Sequence, residues 1–308
     1  MDPDDIVGVE VPASAANLGP GFDALAAAVD LRLTAWTTDR EDRRVIAAGE
    51  GAEELPSDDD NLVWRALVAY CERFGAPVPE VSLRAHSAIP LERGLGSSSA
   101  AAVAGVALAR ALTRAGGSDQ DLVDLAADLE GHADNAAAAV IGGIVAVVDG
   151  RAHRFEPSPG LRPVVCIPTE RQSTSAARGL LPDVVPFADA AGTAGRAALT
   201  LAGLTGGAAL RPEAMHDVLH EPARFEAMPE TGALVARLRD NGVAACLSGA
   251  GPSVLAVVGV RDHAAAERIT ALAGDGWEIH AASWDRAGAA VCPPTVVARP
   301  ATASEPPA

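Results

Sequence analysis

The stretch Pro90-Leu91-Glu92-Arg93-Gly94-Leu95-Gly96-Ser97-Ser98-Ser99-Ala100 constrains this chain more than any other, because it runs straight into Ala101-Ala102-Val103-Ala104-Gly105-Val106-Ala107-Leu108. Two glycines and three serines read as a tight turn, and the small-aliphatic run behind them reads as a buried helix. A turn feeding a helix start leaves backbone N–H groups unpaired at the positive end of the helix dipole, a cradle for an anion such as phosphate. A serine N-cap accounts for one hydroxyl, not three; another is free to ligate Mg²⁺ while the rest face phosphate oxygens. The 308 residues contain no lysine. That excludes a Walker-type loop, a lysine Schiff base and a lysine-anchored pyridoxal enzyme. Phosphate bound here must be held by amides, hydroxyls, a metal and arginines.

The length allows two domains with their own cores. With 24 basic against 41 acidic residues the formal charge is −17, which argues against nonspecific nucleic-acid binding and a polybasic membrane surface. Local arginines still leave room for an anionic substrate. Aromatic residues are 3% of the chain and alanine is abundant, so the core must be packed from small aliphatics. Cys71, Cys166, Cys246 and Cys292 are far apart, form no C-x-x-C and have apolar neighbours; buried free thiols are expected. The acidic start carries no signal-peptide core, and the apolar run 136–148 is broken by Gly142-Gly143 and too short to span a bilayer. A cytoplasmic location is the expectation.

Alternation predicts a strand over 7–11 that stops at Pro12, followed by a polar loop over 13–21. Strands are also expected at 31–37, 45–48, 81–85 and 144–148. Asn61 caps a helix over 62–74, and Ser118-Asp119-Gln120-Asp121 opens another as a capping box. A small-residue helix follows Asp134-Asn135. Asp149-Gly150, the polar residues after it and Pro157-Ser158-Pro159-Gly160 mark the boundary between domains 1–155 and 156–308. In the second domain, helices are expected over 195–203, 213–220, 231–241 and 263–272. Strands are expected at 163–168, 243–247, 254–258, 278–282 and 289–292, with a frayed tail from about 295. Without regular βαβ repetition, the pattern is α+β.

Three further constellations carry chemistry. Asn17-Leu18-Gly19-Pro20-Gly21-Phe22-Asp23 is a sharp turn with polar edges; it either just connects two elements or projects Asn17 and Asp23 at a polar ligand, Asp23 suiting an amine. Glu130-Gly131-His132-Ala133-Asp134-Asn135 gathers two acids, an imidazole and an amide between small-residue helices. There Glu130 suits Mg²⁺ and His132 a hydrogen bond to substrate. Leu247-Ser248-Gly249-Ala250-Gly251-Pro252-Ser253 is either a plain hairpin or a backbone approach to a ligand. Arg178 and Arg224 are each unremarkable alone; converging on one pocket they make a carboxylate clamp.

Taken in order, these motifs resemble the GHMP small-molecule kinases, and within them the homoserine kinases of actinobacteria. Residues 12–25 (PASAANLGPGFDAL), 90–105 (PLERGLGSSSAAAVAG), 130–143 (EGHADNAAAAVIGG) and 247–256 (LSGAGPSVLA) carry the resemblance. It implies a two-domain α+β fold, with a ribosomal-protein-like N-terminal domain and a ferredoxin-like C-terminal one. It also implies ATP- and Mg²⁺-dependent phosphorylation of L-homoserine to O-phospho-L-homoserine in threonine biosynthesis, by a homodimer. Pro90 to Ala100 would wrap the phosphates, with Ser98 and Glu130 on Mg²⁺. Asn17, Asp23 and His132 would hold the amine and hydroxyl side, Arg178 and Arg224 the carboxylate. Asn135 stands where several relatives in the superfamily place an aspartate, so it would orient the nucleophile rather than act as a base. Departures are Thr193-Ala194-Gly195-Arg196 in place of an Asn-x-Ser-Arg run, Ser99 and Ala15 in their motifs, and Ala136-Ala137. Another GHMP-type kinase and a non-catalytic ligand-binding regulator are the alternatives.

Overall fold

The computed structural model describes residues 6–39, 41–42, 44–172 and 177–292; the expected tail lies outside them. Eleven strands form two sheets among these residues. The first holds β1 (Gly8–Ala16), β2 (Leu25–Thr38), β3 (Val45–Gly49), β4 (Ser82–Ser87), β5 (Ile144–Val148), β6 (Arg151–Phe155) and β11 (Ala290–Cys292). Its path is β11-β1-β2-β4-β3, with β5 paired to the start of β2 and β6 to β5. The second holds β7 (Leu161–Pro168), β8 (Ala244–Leu247), β9 (Val254–Gly259) and β10 (Trp277–Ala281), in the order β10-β7-β9-β8. Only β3 and β4 pair in parallel. The returning β11 stitches the chain's far end onto β1.

Helices cover each sheet. Against the first lie α2 (Ser97–Thr113), α4 (Ala133–Ile141) and, at β6, α3 (Asp119–Glu130), while α1 (Leu62–Phe74) packs on α2 and α3. α1 starts where the Asn61 side chain accepts from Val63 N–H, and α3 starts with the reciprocal Ser118–Asp121 box. Residues 102–109 of α2 are buried on every side, which only small side chains allow between a sheet and three helices. α5 (Phe187–Thr205) is mostly exposed and α6 (Glu221–Ala227) is short. α7 (Pro229–Asp240) and α8 (Ala265–Ala273) bury Leu234, Leu238 and Ile269 against the second sheet. The four cysteines are buried and free.

Three expectations are corrected. β1 does not stop at Pro12 but continues to Ala16. β11 covers β1 only at Gly8–Glu10, so the missing N–H of Pro12 faces no strand, and a register shift after Pro12 absorbs the ring. Asp149-Gly150 is the turn of the β5–β6 hairpin, both residues at positive φ, and the polar run behind it is a strand. The helix expected over 213–220 is a single 3₁₀ turn, Pro212–Met215. There Asp217 breaks the helix, its carboxylate accepting from Leu219, His220 and Glu221 N–H and restarting the chain as α6.

Candidate active site

Gly96, not a serine, caps α2: it sits at φ 68° and no side chain caps the helix. A Cβ at Gly96 would strike the Ser14 hydroxyl. None of the three serine hydroxyls is spent on a cap; that of Ser97 reaches the Ile89 carbonyl at 3.4 Å. Among the described residues nothing accepts a hydrogen bond from the amides of residues 94–99. This run of uncommitted N–H groups faces a cavity of about 980 Å³, lined by Pro90 through Ser99. Ala100 is the exception in that segment; fully buried, it donates its amide to the Gly96 carbonyl and belongs to the core. Arg93 also turns away, its guanidinium bracing Pro168 and Thr169 carbonyls at the end of β7.

Glu130, the last residue of α3, lines the same cavity as Ser98. Burial pushes the Glu130 carboxyl above the ordinary carboxylate range, against the pull of the Ser98 hydroxyl and of His132 and Arg65. A hydroxyl and a half-buried carboxylate beside free amides fit an oxygen-seeking divalent cation that also touches phosphate. His132 and Asn135, at the start of α4, line the same wall. The Ser14 hydroxyl donates to Asn135 Oδ1 at 2.8 Å, which leaves the Asn135 NH₂ group toward the cavity. Asp134 is buried; burial pushes its carboxyl up, and its Oδ1 accepts from Asn135 N–H.

The opposite end is charged in both signs. Arg178 forms a two-pronged ion pair with Asp23, 2.5 Å at its shorter contact. Arg224 is buried, donates to the Gly249 carbonyl, and leaves its Nε without a partner. Both guanidiniums lie over the Phe22 ring, at 5.9 and 5.5 Å from its centroid. The two arginines expected to form a clamp therefore share one cavity wall and one aromatic plate. Asn17 lines the same cavity and also makes hydrogen bonds within the chain. Its amide donates to the Gly249 carbonyl and accepts from Asp23 N–H, so it fixes the turn that presents Asp23.

The glycine turn between β8 and β9 lies directly on the loop that carries Gly94. Ser248 Oγ donates to the Gly94 carbonyl, and a Cβ at Gly94 would run into the Ser248 carbonyl. Sequence reasoning missed Ser14, Phe22 and His220. The first two stand inside a quoted motif and carried no charge to draw notice; His220 draws its meaning from the Gly19 carbonyl 201 positions away.

Residues 61–143 match the family described as GHMP kinases N terminal domain, and residues 198–272 match GHMP kinases C terminal. Homoserine kinase of Streptomyces avermitilis is 44% identical over 296 residues, covering 93% of this chain and 96% of its own length. This chain belongs to the homoserine kinase family of GHMP kinases. Another member, homoserine kinase of Rhodococcus erythropolis, is 41% identical over 82% of this chain and 85% of its own. The crystal structure of homoserine kinase from Cytophaga hutchinsonii superposes with a TM-score of 0.79 at 26% identity, over 95% of this chain and 99% of that one. A mevalonate kinase structure shares the fold alone, at TM-score 0.67 and 12% identity, over 91% of this chain and 99% of that one. The two-domain α+β fold of the family is the one found here.

Proposed function

We propose that this chain transfers the γ-phosphoryl group of ATP to the side-chain hydroxyl of L-homoserine, giving O-phospho-L-homoserine and ADP, a step of threonine synthesis. The observation that carries the reading is one cavity with two ends: free amides and the Ser98–Glu130 pair at one, Asp23 with two arginines at the other. A phosphate chain needs the first and an amino acid needs both charges of the second.

The amides of residues 94–99 and the serine hydroxyls would hold the phosphates, and Ser98 and Glu130 a Mg²⁺ ion, which supplies neutralisation of phosphate charge. Asp23 suits the substrate's ammonium group, while Arg178 and Arg224, which line the same end of the cavity, suit its carboxylate. Phosphoryl transfer through a loose transition state asks for alignment rather than a strong base. Asn135, its oxygen tied to Ser14, donates from its NH₂ group to the attacking hydroxyl oxygen or the phosphoryl oxygens, orienting one to the other. His132 is placed to donate on the same side. The bond from hydroxyl oxygen to γ-phosphorus forms as the bond to the bridging oxygen breaks. The hydroxyl proton leaves late, toward a phosphate oxygen.

A homodimer in the cytoplasm belongs to the same reading. The exposure of Val184, Phe187 and Leu199 on and before α5 supports burial of that patch against a second copy, which sedimentation equilibrium tests. No helix among the described residues is long and apolar enough to cross a membrane. ADP release measured with homoserine, serine, threonine, mevalonate and shikimate decides the activity. Homoserine leads by orders of magnitude; equal turnover of mevalonate would move the assignment elsewhere in the superfamily.

A further inference from the structure

We propose that His220 is a positioning residue for Arg224, as the Nε2–H tautomer that ties the arginine of α6 to the Gly19 turn of the first domain. His220 is fully buried at the start of α6. Its Nε2 lies 3.0 Å from the Gly19 carbonyl oxygen, and its Nδ1 lies 3.1 Å from Arg224 Nη1. A guanidinium can only donate, so Nδ1 accepts and the ring proton sits on Nε2, aimed at a carbonyl that can only accept. Both nitrogens are thereby satisfied in one neutral tautomer.

The ring does more than fill space. It stacks on Phe22 with centroids 5.1 Å apart, on the plate that also carries the two guanidiniums. Among the described residues, the other hydrogen-bond partner of the Arg224 guanidinium is the Gly249 carbonyl, which the same Nη1 contacts. Its Nε has none. Held at the Gly249 carbonyl alone, the side chain could pivot about Nη1; the imidazole on the same nitrogen limits that pivot and so sets how the guanidinium is presented to the cavity it lines. The charged groups that face His220 are Asp217, whose Oδ2 is 3.6 Å from Nε2, with Arg224 and Asp23. Burial and the neighbouring guanidinium keep the ring neutral, its pKa lowered to about 4. A positively charged ring in that place would repel Arg224 and lose the acceptor.

The inference rests on the reading that Arg224 grips the substrate's carboxylate, and steady-state kinetics of four variants separates the two. His220→Leu removes both nitrogens; the expected result is a KM for homoserine raised about 10-fold, with kcat and the KM for ATP within about 2-fold. His220→Gln, which offers an acceptor and a donor in similar places, restores most of that loss. Arg224→Ala raises the KM for homoserine further, and His220→Leu placed in that background adds less than about 2-fold, because its effect runs through the missing guanidinium. Should His220→Leu not fold, His220→Phe keeps the ring on Phe22 and carries the same expectation. The proposal is overturned if the apolar variants leave the homoserine KM unchanged, if they disturb ATP and homoserine alike, or if their effect persists undiminished without Arg224. An Arg224→Ala enzyme with normal homoserine KM would instead sink the clamp itself, and this proposal with it.

Discussion

Ser14 fixes the amide oxygen of Asn135, the residue proposed to orient the reacting hydroxyl. Its hydroxyl holds the amide oxygen at 2.8 Å and its own N–H is spent on the Leu95 carbonyl, so one buried serine joins β1, the glycine loop and α4. Ser14→Ala leaves the Asn135 amide free to rotate; kcat should drop about 3- to 10-fold with the KM for ATP little changed, as steady-state ADP release would show. A kcat equal to wild type would mean that the amide needs no such anchor. Glu130 makes a second expectation at this scale. Its carboxyl is raised by burial, so on lowering the pH it takes up a proton before a solvated glutamate would, and only the ionised form can hold a divalent cation. The Mg²⁺ concentration for half-maximal rate should therefore rise on the acid side. In Glu130→Gln it should be high at every pH and flat. Of these two residues, Glu130 could be read from the clustering of polar groups in an apolar stretch. Ser14 could not, since its value comes from a partner 121 positions away.

The start of α2 shows how an element is turned toward ligand binding. A helix normally satisfies its first amides with a side-chain cap; here Gly96 turns the chain through the left-handed region and caps nothing, so the amides stay open. Gly96→Ala would bring about 1–2 kcal/mol of backbone strain and push a methyl group into Ser14. The expected result is a KM for ATP raised at least about 10-fold, with a lowered Tm. Unchanged ATP affinity would show that the loop's shape is not what binds. Elements with local signals were legible: Asn61 for α1, the Ser118–Asp121 box for α3, alternation for β5. Where a neighbour decides, local pattern failed. Pro12 is tolerated because β11 has already ended, and 213–220 is broken because Asp217 outcompetes the helix for its own amides.

The molecule as a whole is joined where it binds. The β8–β9 turn lies on the Gly94 loop, Arg93 braces the end of β7, and His220 links α6 to the Gly19 turn. The last of these makes folding sensitive to acid. An unfolded chain protonates this histidine at about 6.5, while the folded ring resists until about 4. The contribution is complete above pH 6.5 and is lost as the pH falls toward 4, by an amount of order 3 kcal/mol. In His220→Phe this part of the slope should vanish, so chemical denaturation at pH 7 and pH 4.5 should differ less than in the wild type. An unaltered difference would place the acid sensitivity elsewhere.

By itself the sequence determined the kind of chemistry and the fold class. The four glycine-bearing motifs, the lack of lysine and the spacing of small aliphatic residues are properties of short stretches, and short-range backbone preferences can be read along a chain. Tertiary structure decided what each polar group is free to do. It assigned Asn17 to bracing, paired Asp23 with Arg178, buried Ala100, and set a neutral imidazole behind Arg224. Hydrogen-bond capacity is settled by whichever partner folding brings within reach, and some of those partners, as Asn17 with Gly249 and Asp23 with Arg178, lie more than a hundred residues apart.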